Sequence, residues 1–171
     1  MKFCTRIIVA LLAFSIAGAS FGVQAPWVLT LEGLGPIKIG MSLSTVNALK
    51  GIKLKGTKPG IGEDSCYLES IQGITGVTLM IAENKIARIN IDTKHFKTTA
   101  GAHLGMSESQ LRSIYQGKLE KEPHRYEAKG HYYTLEDQKN HRALRFETKS
   151  NKIIRMYTGR DPEAYFVENC S

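Results

Sequence analysis

Apolar and polar positions in this chain recur at a spacing of 65 to 67 residues. Ile39-Gly40-Met41-Ser42 returns as Leu104-Gly105-Met106-Ser107, and each copy leads into a short helical pattern. Val46 and Leu49 form the apolar face after Ser42; Leu111 and Ile114 form it after Ser107. A serine oxygen accepts a backbone N–H that the first helical turn leaves unpaired, so Ser42 and Ser107 are predicted N-caps. Ser107-Glu108-Ser109-Gln110 also has the form of a capping box. Gly51 and Gly117 are placed to end the two helices.

Strand patterns follow each helix. Cys66-Tyr67-Leu68 matches His131-Tyr132-Tyr133. Val77-Thr78-Leu79-Met80-Ile81 matches Ala143-Leu144-Arg145-Phe146-Glu147, and Asn84 to Ile89 matches Asn151 to Met156. The last two segments of each set read as strand, polar turn, strand. Glu83-Asn84 and Ser150-Asn151 supply the turns, where asparagine tolerates a left-handed backbone. A further strand is expected from Trp27 to Leu31, with Trp27 packed inward, and Tyr165-Phe166-Val167 reads as a last short strand. The expected fold is α+β: two tandem helix-strand-strand-strand repeats in a mostly antiparallel sheet, with short helices on one face. Residues 26–97 form repeat unit 1, and 98–171 form repeat unit 2 with a C-terminal tail.

A strand ending in Gly-Met-Ser, a short helix and an antiparallel meander together resemble the repeat unit of beta-lactamase inhibitory protein. They are also similar to the small lipoprotein of the outer-membrane barrel-assembly machine. In residue identity the resemblance rests on Gly40-Met41-Ser42 and Gly105-Met106-Ser107. It implies a fold and, with it, a binding surface: helices on one face of the sheet and a concave face exposed. It assigns no functional residue. This chain departs from both families. The inhibitors carry a disulfide within each repeat, whereas here the cysteines suffice for one. The lipoprotein has a single unit and a lipidated cysteine.

The first 25 residues change the picture from fold to address. Lys2 and Arg6 precede an apolar run from Ile7 to Ala17, and small residues follow at Ala17-Gly18-Ala19 and Val23-Gln24-Ala25. This is the layout of a secretory signal peptide cleaved after Ala19 or Ala25. Pro26 disfavours the second site. The run is shorter than the ~20 apolar residues of a spanning helix. Cleavage removes two basic residues and no acid, leaving 21 basic and 16 acidic residues, net +5. The charges are interspersed, with no basic stripe or base-reading motif, so nucleic acid is not an expected partner. A periplasmic or secreted location is expected, with another envelope or secreted protein as partner. Cys66 and Cys170 then remain, an even count that predicts one disulfide in an oxidising compartment.

Candidate chemistry concentrates between Glu122 and Tyr133. His124, Tyr126, His131, Tyr132 and Tyr133 cluster around Gly130. Tyrosine offers a large contact area with a polar tip at low entropic cost, which suits a recognition surface. Along an extended segment His124 and Tyr126 share one side, as do His131 and Tyr133. His124, His131 and His141 match no metal-ligand spacing, and no nucleophile elbow, zincin motif or phosphate loop is present. No cofactor or metal is expected. The expected function is non-enzymatic binding through a sheet surface, as a protein inhibitor or envelope-assembly factor. The alternative class is a small secreted hydrolase acting on cell-wall or polysaccharide material. A deep cleft holding a histidine within reach of a carboxylate or hydroxyl would mark that alternative.

Overall fold

The computed structural model describes residues 27–56 and 66–170, so the expected signal peptide lies outside the described residues. The chain opens with three short strands, β1 (Val28–Thr30), β2 (Gly33–Leu34) and β3 (Ile37–Lys38). Helix α1 (Leu43–Asn47) follows, capped by the Ser42 side chain accepting from the Thr45 N–H. Then come β4 (Tyr67–Ser70), β5 (Val77–Ala82), β6 (Lys85–Ile91) and β7 (Lys97–Thr98). Helix α2 (Glu108–Tyr115) begins with the expected capping box between Ser107 and Gln110. Strands β8 (Glu120–Pro123), β9 (His131–Asp137), β10 (Arg142–Lys149) and β11 (Lys152–Arg160) complete the regular structure.

These strands form two sheets rather than one. The larger runs β4-β5-β6-β11-β10-β9-β8 and is antiparallel throughout; the smaller runs β3-β2-β1-β7. In the smaller sheet β1 pairs with β7 in parallel. Strand β8 is an addition to the expected helix and three strands. Its sequence Glu-Lys-Glu-Pro is exposed at every position, so no apolar alternation marks it. Charge and proline on an edge strand also discourage pairing with another chain.

Two hairpins carry the same irregularities. Glu83 and Asn84 in the first, and Ser150 and Asn151 in the second, all have positive φ between 47° and 63°. Two consecutive left-handed residues give the tight turn whose twist matches antiparallel strands. Both hairpins then bulge, at Met80/Ile81 opposite Ala87 and at Glu147/Thr148 opposite Ile154. The Gly-Met-Ser segments dock beside these turns. Gly40 N donates to Ile86 O at 2.8 Å and Ile86 N to Met41 O at 2.9 Å. Gly105 N donates to Ile153 O at 2.8 Å and Ile153 N to Met106 O at 2.9 Å. Gly40 and Gly105 have φ of 87° and 88°, a conformation that a Cβ would strain.

The main core lies between one face of the large sheet and the layer formed by α1, α2 and the small sheet. Leu29, Leu34, Ile37, Val46, Leu79, Ile89, Ile91, Leu111, Tyr133 and Phe146 are buried there, with Trp27 packed at its edge. The other face of the sheet is not an open concavity. Residues 161–170 cross it, and Glu163–Tyr165 form a 3₁₀ turn where a strand was expected at 165–167. The tail satisfies polar side chains on that face: Arg88 Nη1 donates to Phe166 O at 2.6 Å, and Asn90 Nδ2 to Asn169 Oδ1 at 2.9 Å.

The expected Cys66–Cys170 disulfide is present and fixes the end of this tail beside β4, closing a loop across a separation of 104 residues. Among the described residues no helix is long and apolar enough to cross a membrane. Constraining a loop of that length in the unfolded chain is worth about 2–5 kcal/mol. Replacing both cysteines by serine is expected to lower unfolding stability by that amount in urea titrations. An unchanged midpoint and slope would show that the bond contributes nothing.

Candidate functional site

The histidine- and tyrosine-rich segment does not run as one strand. Residues 124–130 form a compact loop between β8 and β9. His124 N donates to Gly130 O at 3.1 Å, and Gly130 N donates to Glu127 O at 2.8 Å. A Cβ on Gly130 would come within 2.3 Å of Thr148 O, so the loop closes this tightly only around glycine. Inside it, His124 Nδ1 accepts the backbone N–H groups of Tyr126 and Glu127 at 3.1 and 3.2 Å. Those bonds leave Nε2 as the N–H that points away from the loop.

The loop and β9 divide the candidate residues between the two faces of the sheet. His131 and Tyr133 share a side, as expected, and face α2. His131 Nδ1 lies 2.9 Å from Glu108 Oε1, and the Tyr133 hydroxyl donates to Glu108 Oε2 at 2.8 Å. The Thr148 hydroxyl adds a third bond to Glu108 at 2.7 Å. Burial by itself would raise the Glu108 carboxyl, but bonds from His131, Thr148 and Tyr133 outweigh it and hold it below its ordinary range. Burial, then the Glu108 carboxylate, pushes the Tyr133 hydroxyl up to about 12. This cluster ties the first turn of α2 to β9 and β10.

His124, Tyr126 and Tyr132 come together on the opposite, tail-covered face. The His124 ring stacks on Tyr132 with centroids 4.5 Å apart and planes 17° from parallel. Arg145 lies 4.6 Å from the same Tyr132 centroid. Strand register brings Glu147 of β10 opposite Tyr132 of β9 and Arg155 of β11. Glu147 Oε2 stands 3.8 Å from His124 Nε2 and 3.7 Å from Arg155 Nη1, both beyond hydrogen-bond distance. Tyr126 is the exposed member, and its hydroxyl donates to Glu168 of the tail.

An open hollow of about 590 Å³ lies beside this group, lined by residues that include His124, Tyr126, Glu147, Ile154 and Leu68. A second, of about 370 Å³, lies next to it and shares Tyr126, Val167 and Glu168. Glu147, Arg155, Ile154 and Leu68 were not expected from sequence. The bulge at Ile154 turns an apolar residue outward, and no local pattern reports which face the tail leaves open.

No protein-family description matches this chain, and no curated protein matches it. Among solved structures, the uncharacterized protein yfeY from Escherichia coli is similar at 12% sequence identity, over 78% of this chain and 99% of that one, with a TM-score of 0.45. Fold and site together define a mixed α+β protein with mostly antiparallel strands in two sheets, a disulfide-fixed tail and a hollow at the tail's edge.

Glu108→Gln removes charge from an acceptor of three hydrogen bonds and is expected to cost about 1–3 kcal/mol of stability. The folded carboxyl titrates below its unfolded value, so its contribution is complete above the ordinary carboxylate range. It is lost as pH falls through the lowered folded value. Urea titrations of both proteins between pH 7 and pH 2 check this: the two stabilities should converge in acid. Parallel curves would remove the charged role of Glu108.

Proposed function

We propose that this chain is an exported, non-enzymatic binding protein, acting as a protein inhibitor or envelope-assembly factor on another envelope or secreted protein. It does so through the rim of the tail-covered face. One observation carries this reading. Four large apolar residues are exposed among the described residues: Leu68, Tyr126, Ile154 and Phe166. All four line the two adjacent hollows. Apolar groups gathered in one place and rimmed by polar ones mark interaction sites, whereas scattered ones mark nothing.

The same reading includes a duplicated helix-and-meander unit. The turns at 83–84 and 150–151 and the bulged residues Ala87 and Ile154 are each 67 residues apart. The seam between β6 and β11 is self-complementary at that offset: Asn90 pairs with Tyr157, Ile89 with Thr158, and Ile91 with Met156. Asn90 meets its own counterpart, and Ile89 and Ile91 meet each other's, which is what two copies related by a two-fold axis produce. On this reading the hollow belongs to the second copy, where Glu147 and Ile154 stand in place of Met80 and Ala87.

The carboxylate within hydrogen-bond reach of a histidine, Glu108, is committed to three bonds at the start of α2, which weighs for binding over hydrolysis. The oxidised protein lacking residues 1–25 should retain a specific protein from envelope extracts, identified by mass spectrometry. Ile154→Asp combined with Leu68→Asp should reduce that retention at least about tenfold, equivalent to about 1.4 kcal/mol. A Lys139→Ala control, in the β9–β10 turn, should retain it fully. Equal retention by the double variant would overturn the reading.

A further inference from the structure

We infer that the Cys66–Cys170 bond is a redox control on partner binding: the oxidised protein keeps the two hollows walled, and reduction takes them apart. This rests on the binding reading above. The two sulfurs are carried by very different supports. Cys66 immediately precedes β4, and every residue of β4 pairs with β5. Cys170 ends a strap, residues 166–170, that lies outside every strand. Among the described residues, three hydrogen bonds join this strap to the sheet and the 124–130 loop. Arg88 Nη1 donates to Phe166 O, Asn90 Nδ2 to Asn169 Oδ1, and the Tyr126 hydroxyl to Glu168. Water can replace each of these partners once the strap moves, so their net contribution is modest against the entropy of ordering the strap. The covalent bond supplies what they lack by fixing the far end. The root of the tail has anchors of its own: Arg160 grips Glu163 at 2.6 to 3.1 Å, and Tyr165 donates to Glu136 at 2.5 Å.

The strap is one wall of the candidate site. Val167, Glu168, Asn169 and Cys170 line the larger hollow, and Phe166, Val167 and Glu168 line the smaller. Phe166, one of the four large apolar residues that are exposed, rides on it. With the far end free, Leu68 and Ile154 stay on the sheet but lose the wall opposite them. Cys66 and Cys170 are both partly exposed, and Cys170 borders the open hollow, which gives a reductant its approach. A thiolate of a dithiol reductant attacks the Cys170 sulfur and forms a mixed disulfide; the Cys66 sulfur leaves with the electron pair and takes a proton. The reductant's second thiol then attacks the mixed disulfide and releases Cys170 as a thiol. Two electrons have passed to the protein, and the dithiol ends as a disulfide. A partner seated in the hollow favours the oxidised form, so binding and reduction oppose each other reciprocally.

The test compares the ¹⁵N-labelled protein lacking residues 1–25 in its oxidised form and after equilibration with dithiothreitol. On reduction the heteronuclear NOE of residues 167–170 should fall from sheet-like values to those of a free chain end, and the amide signals of the loop 124–130 should shift. Amide protection in β6 and β10 should persist. A strap that stays ordered would overturn the inference. So would loss of protection in β6 and β10, because the bond would then hold the fold rather than the strap. Retention of the envelope partner should fall at least about tenfold in protein that has been reduced, alkylated and freed of reductant, and equally in the Cys66→Ser, Cys170→Ser variant. By linkage, saturating partner should lower the reduction potential of the bond by at least about 30 mV, the equivalent of that factor for two electrons. Equal retention by both forms, with Leu68→Asp and Ile154→Asp still reducing it, removes the redox control and leaves the binding reading standing. Absence of any rim-dependent partner for the oxidised protein overturns the binding reading, and the redox control with it.

Discussion

A buried arginine governs how this sheet is covered. Arg88 sits at the seam of β6 and β11 with no exposed surface, its guanidinium 3.6 Å from the centre of the Tyr157 ring. It donates Nε to Asn90 Oδ1 at 2.7 Å and Nη1 to Phe166 O at 2.6 Å. A cation taken out of water is costly unless its donors find acceptors. Half of the solution therefore comes from the tail, 78 residues further along the chain. The tail in turn is held at its root by Arg160, whose guanidinium grips Glu163 at 2.6 to 3.1 Å, and at its end by the disulfide. Remove either anchor, and Arg88 faces an opening rather than a carbonyl.

This arrangement makes the second face of the sheet a polar interior. Thr134, Arg145, Glu147 and Asn90 are all buried there. Arg145 Nη2 reaches Glu122 at 2.8 Å and its Nε reaches Thr134 at 3.0 Å, while Tyr165 of the tail donates to Glu136 at 2.5 Å. Buried polar networks of this kind rigidify when complete and are costly when not. His124 Nε2 and the Glu147 carboxylate stand at the margin of that network, where the tail ends its coverage and the hollow begins.

How much of this was legible follows from how far each feature reaches along the chain. The helix caps, the hairpin turns and the Gly-Met-Ser entries depend on residues within a few positions of one another. Ser107 and Gln110 specify a capping box wherever they are placed. The disulfide was legible from counting alone, because two cysteines allow one pairing. The polar face was not. Ile86-Ala87-Arg88-Ile89-Asn90-Ile91 reads as a strand with one apolar and one solvent-facing side. Only a segment near residue 166 turns the second side into an interior, and nothing within β6 announces it. Strand β8 was missed for the complementary reason: an edge strand that faces water on both sides carries no hydrophobic period at all.

The candidate site shows the same division at the scale of single side chains. Period-two alternation placed His131 and Tyr133 on one side, and they do meet there, at Glu108. His124 and Tyr126 also share a face, but not as an extended segment, because Gly130 lets the chain fold back on itself into a loop. That loop gives His124 its fixed ring. The backbone N–H groups of Tyr126 and Glu127 close on Nδ1, the stack on Tyr132 sets the plane, and Nε2 is left aimed at Glu147. A histidine oriented by two backbone donors and a parallel ring has little rotational freedom left. The tight approach of Gly130 to Thr148 O and the orientation of the His124 imidazole are thus one constraint. The least functional-looking residue of the segment is the one that sets its chemistry.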